Sequence, residues 1–139
     1  MSYRLILLDV QLNPISSEPD APKEAYVVLS LRGKRIIGRH VPTLAQDELA
    51  AIAAATLDAV QQALPVTVEF VLRSAIKLNP QFLNAPLLVV IADLLYGKSR
   101  YELTGACQCE DKIVQRGIAQ AALDATNRLV QFIFAEQGN

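Results

Sequence analysis

Residues 66–78 read VTVEFVLRSAIKL. For most of this length apolar and polar positions alternate, with Val66, Val68, Phe70, Leu72, Ile76 and Leu78 on one face and Thr67, Glu69, Arg73 and Lys77 on the other. A period of two marks a strand covered on one side. The stretch runs into Leu78-Asn79-Pro80, and the same tripeptide stands at Leu12-Asn13-Pro14. Leu57-Asp58-Ala59 recurs at the same spacing as Leu123-Asp124-Ala125, and Gly33-Lys34 recurs a little closer as Gly97-Lys98. Self-similarity at a fixed spacing marks one structural unit used twice. One domain, residues 1–139, divides into two copies of a unit, 1–64 and 65–139.

Each copy has the same element order. Ile6, Leu8, Val10 and Leu12 form the apolar face of a first strand, with Arg4, Asp9 and Gln11 opposite. Two apolar runs joined by a glycine turn follow, Ala25–Leu31 with Ile36–Val41, and Leu87–Tyr96 with Ser99–Leu103. Glycine accepts the positive φ that tight hairpins demand. Helices come third. Thr43-Leu44-Ala45-Gln46 matches a capping box, and Leu49, Ile52, Thr56, Val60 and Ala63 share a helical face until Pro65 ends the run. Val114, Ile118, Ala121, Ala125, Leu129 and Phe132 make the second stripe, with Glu110 and Asp111 suited to the helix start. The expected fold is α+β, a tandem βββα duplication with pseudo-twofold symmetry and the helices on one side of antiparallel sheet. Leu87–Ala92 is apolar on both faces, so its strand needs a second covering layer from the other repeat or from another chain.

Composition bounds the function. The 139 residues are 52% apolar and 19% charged, with a net charge of −1, so the chain exerts no general pull on a phosphate backbone and nucleic acid is not an expected partner. The charge-free stretch between Lys77 and Asp93 is broken by Asn79, Pro80, Gln81, Asn84 and Pro86, against the roughly 20 apolar residues of a membrane span. No basic segment leads an apolar run at the N-terminus, and a cytoplasmic protein is expected.

Four features carry candidate chemistry. His40 is the one histidine, and no acid is placed beside it by sequence, so no triad and no enzyme activity is expected. Cys107 and Cys109 are too close for an unstrained disulfide. With His40 they would supply three soft metal ligands if the turns before the two helices met; the plainer reading is small buried thiols and a turn histidine, and no cofactor is expected. Arg32, Lys34, Arg35 and Arg39 surround the first hairpin turn, either as a solvated sheet edge or, at Arg39, as an anion anchor near a helix start. Asp93 lies in the apolar strand as a buried, hydrogen-bonded acid or a residue at a dimer seam.

The second copy reads Thr104-Gly105, then Asp111, then a helix closing on Ala122-Leu123-Asp124-Ala125-Thr126-Asn127-Arg128-Leu129. Together with the βββα duplication and the strand Val68–Lys77, this resembles the C-terminal regulatory and dimerisation domain of 2-isopropylmalate synthase and its relatives. The resemblance implies a non-catalytic, homodimeric domain that binds leucine or a related amino acid or 2-oxo acid near the turns before the helices and controls a partner enzyme. It places candidate ligand contacts at Gly38, Arg39, His40, Val41 and Pro42 in the first turn, and at Thr104, Gly105, Ala106, Cys107 and Asp111 in the second. His40 and Cys107 stand where the family commonly has glycine, and their side chains occupy space that a ligand would use. The competing expectation is a structural homodimer that binds a partner protein and no ligand.

Overall fold

The computed structural model describes residues 4–43 and 47–137. Strands β1 (Ile6–Pro14), β2 (Lys23–Leu31) and β3 (Lys34–His40) form one antiparallel sheet in that order, followed by helix α1 (Glu48–Ala63). Strands β4 (Glu69–Leu78), β5 (Leu87–Tyr96) and β6 (Ser99–Gln108) form a second sheet of the same order. A short 3-10 turn, Asp111–Ile113, then leads into α2 (Val114–Gln137). The fold is a duplicated βββα unit. Its hairpins close through two-residue turns: Arg32 and Gly33 both have positive φ, as a type I′ turn requires, whereas Gly97 alone does so in the second. Among the described residues no helix is long and apolar enough to cross a membrane.

The first strand of each unit contains a bulge. Pairing passes from Leu7↔Leu29 to Asp9↔Val28 in one sheet and from Leu72↔Ala92 to Ser74↔Ile91 in the other, leaving Leu8 and Arg73 as the extra residues. An extra residue reverses the side-chain alternation beyond it. Leu5 and Leu7 therefore point into the core before the bulge, and Val10 and Leu12 after it. This corrects the simple alternation expected for both strands: Ile6 and Leu8 are exposed, and so are Ile76 and Leu78. The bulge also joins the repeats, because Arg116 of α2 donates to the Leu8 carbonyl at 3.5 Å.

Each helix packs on elements of both repeats. α1 packs on β2 and β3 of its own sheet, on α2 and on β4; α2 packs on β5 and β6, on α1 and on β1. A helix enclosed this way must be apolar on several sides, and Ala51, Ile52, Ala53, Ala55, Thr56, Leu57, Ala59 and Val60 are all buried. The Thr56 hydroxyl is satisfied by donating to the Ile52 carbonyl at 2.8 Å. Of the expected capping box, Leu44, Ala45 and Gln46 lie outside the described residues; the helix starts at Glu48, where the Asp47 side chain accepts from the Ala50 N–H at 2.7 Å. In α2 the inward position is Ile133 rather than Phe132, which is 60% exposed.

Gly38 in β3 lies under the backbone of α1 at Ala55 and Ala59, and Gly105 in β6 lies under α2 at Ala121 and Ala125. A Cβ at either glycine would sit inside 3.0 Å of helix backbone. Neighbouring strand amides are tied to the same helices: Asp58 accepts from the Arg39 N–H at 3.0 Å, and Asp124 accepts from the Ala106 N–H at 3.0 Å. The recurring Leu-Asp-Ala motif is thus half of a helix-to-sheet joint, and the glycine is the other half.

Alanine at Gly38 or Gly105 is expected to cost about 3 kcal/mol or more, since backbone must yield. Gly97→Ala, at a positive φ but with open space around it, should cost only about 1 kcal/mol. Urea unfolding of the three variants checks the order; equal losses would refute the joint.

Candidate functional site

The structure scatters the ten candidate residues. Gly38 and Gly105 are covered by helix backbone, so the close approach that their missing side chains permit is used by α1 and α2 rather than by a ligand. The Arg39 guanidinium stacks over the Tyr26 ring, 5.0 Å from its centre, and not at the helix start. Val41 is exposed, and so are Thr104 and Ala106 on β6. Asp111 is held by Lys77, whose Nζ lies 2.6 Å from its carboxylate.

His40 lines a cavity of about 380 Å³ between α1 and β4, with Asp58, Gln61, Phe70 and Leu72 among its walls. Cys107 and Cys109 lie instead at the approach to α2, where the Cys109 sulfur packs against Gly117. Among the described residues no group of three or more His, Cys, Asp or Glu side chains gathers as a metal site. Both cysteines are free. Burial raises the Cys107 pKa, with the Asp124 carboxylate adding to the effect. Burial likewise raises that of Cys109, reinforced by Cys107 and Asp111 and opposed by Lys77. Such thiols are protonated at neutral pH and poor nucleophiles.

Pro42 is the candidate that reaches the start of the other repeat's helix. It lines a cavity of about 620 Å³ with Thr43, the start of α1 at Asp47, Glu48 and Leu49, the start of α2 at Val114 and Gln115, and Asp20, Ala21, Pro22 and Lys23 at the entry to β2. The two helix starts thus open on one space, and helix N-termini favour a carboxylate. The walls carry both signs of charge, with Lys23 Nζ 3.5 Å from the Glu48 carboxylate. Asp20, Lys23, Glu48 and Gln115 were not singled out by sequence, because no motif ties the loop before β2 to the helix starts.

Asp93 is a buried acid at 1% exposure. Arg100 grips its carboxylate through Nε at 3.0 Å and through Nη2, and Arg73 approaches the other oxygen at 3.7 Å while also reaching Glu102 at 3.4 Å. A buried carboxylate needs such partners.

Alkylation of the two thiols by iodoacetamide should accelerate only at a pH above the ordinary thiol value of about 8.5, and urea should restore ordinary behaviour. Because the folded-state pKa values are raised, the thiols' contribution to stability is present below the unfolded value and lost as pH climbs through the folded one. Mass spectrometry across pH measures both rates, and fast labelling near pH 7 in the folded chain would contradict the assignment. No protein-family model and no curated protein matches the chain, so these assignments stand on its residues alone.

Proposed function

We propose that the chain is a non-catalytic regulatory module that binds a small amino acid or 2-oxo acid and acts as a homodimer on a partner enzyme. The observation that supports this reading is the cavity at which the starts of α1 and α2 meet. Its volume falls within the roughly 300–1,000 Å³ of small-molecule sites. A ligand carboxylate suits the helix starts and Lys23, and an α-amine suits Glu48 and Asp20. Binding between the repeats would couple occupancy to the packing of α1 on α2, which gives a regulatory domain its means of response. The likeness to the synthase regulatory domain points to branched-chain compounds as the first class to test.

The second reading, a ligand-free structural homodimer, is favoured by one observation. Gly38 and Gly105, the glycines expected to admit a ligand, are occupied by helix backbone.

A thermal-shift panel of branched-chain amino acids and their 2-oxo acids separates the two. A ligand at a hundred times its Kd adds about 2.7 kcal/mol to the folded state. That should raise Tm by several degrees, and Lys23→Met should abolish the rise. No shift with any member of the panel at millimolar concentration would leave the structural reading.

A further inference from the structure

The outer face of the second sheet has no covering layer among the described residues. Val71, Ile76 and Leu78 on β4 are each about two-fifths exposed, and Val89 and Ile91 on β5 are partly exposed beside them. The ladder sets the outward residues of β4 and β6 at matching levels on either side of β5. Glu69 shares a level with Arg100 through Leu95, and Ser74 shares one with Thr104 through Ile91. The bulged Arg73 lies close to the level of Glu102 and bonds to it across the face. At both charged levels β4 and β6 thus carry opposite signs.

We propose that this face joins two copies of the chain about a twofold axis parallel to β5; the inference rests on the homodimer reading and names its surface. A rotation about that axis lays β4 of one copy over β6 of the other at the same level. Glu69 then faces the second copy's Arg100, Arg73 faces its Glu102, and Ile76 covers its Ala106, while the apolar outer side of β5 meets itself. Each Asp93 stays under its own arginines. The outer face of the first sheet lacks this property: its β3 arginines, Arg35 and Arg39, share levels with Ile6 and Gln11. Three strands about 4.8 Å apart and ten residues long at about 3.4 Å each give a face of roughly 480 Å², or about 1,000 Å² over two copies. That reaches the lower bound of a specific interface, about 1,000 Å², and fits a reversible dimer.

Sedimentation equilibrium of the full chain tests the association, and two variants test the face. Ile76→Glu, at an exposed site, should weaken the dimer about tenfold or more, whereas Ile37→Glu on the outer face of the first sheet should not. Orientation is read by cross-linking. In a background with Cys107→Ser and Cys109→Ser, Ser74→Cys and Thr104→Cys variants are treated with a short bis-maleimide, which spans facing sheets about 10 Å apart. Cross-linked dimer should form in the mixture of the two variants and far less in either alone. A chain that stays monomeric at all concentrations would overturn the homodimer reading itself. A dimer indifferent to Ile76→Glu, or one that cross-links equally well in each single variant, would leave the homodimer standing and overturn this face and axis. If Ile76→Glu does not fold, the cross-linking pattern decides alone.

Discussion

Two places where a helix backbone rests on a strand backbone organise the molecule. At Gly38 and Gly105 nothing separates sheet from helix, and Asp58 and Asp124 secure the amide of the next residue along each strand. Such closeness is attainable only if the helix is also stripped of bulk, which accounts for the alanine pairs Ala55/Ala59 and Ala121/Ala125. With each helix seated on its own sheet, its remaining apolar sides are free for the other helix and for the other unit's first strand. Dispersion contacts across so short a gap are dense, and they replace the burial that larger side chains would otherwise supply.

The architecture was legible because its signals were redundant. Tripeptides repeated at one spacing, glycine turns between apolar runs and two helical stripes all led to βββα twice, and the structure has that order. The bulges were not legible, for a physical reason. Leu5-Ile6-Leu7-Leu8 is apolar at every position, so either phase of the alternation fits it, and Val71-Leu72 offers the same ambiguity in β4. Only the pairing partners show that Leu8 and Arg73 are extra. Phe132 and Ile133 present the same difficulty on α2, where adjacent apolar residues compete for one inward position.

The candidate site was less legible than the fold. Glycine before a helix signals that something approaches the backbone, and sequence does not say what. The clue lay in the alanines spaced four apart on each helix, in register with the glycines, which make helix packing the simpler partner. Pro42 alone was carried to the cavity between the helix starts. The other walls come from a loop and a helix turn that are distant in sequence and share no motif. Asp93 shows the opposite case: a lone acid in an apolar strand announces a buried partner, and Arg100 and Arg73 provide it.

The carboxylates of Asp58 and Asp124 have an effect beyond fastening helices to sheets. β3 and β6 each form one of the two edges of their sheets, positions at which a foreign strand could extend the ladder. At Arg39 and Ala106 the amide is already bonded to a carboxylate from the chain's own helix. An incoming strand would find a donor taken and a negative charge beside it. The same contact that seats each helix therefore guards one of its sheet's two margins against templated aggregation, a safeguard of particular use to a small, apolar, twice-repeated protein.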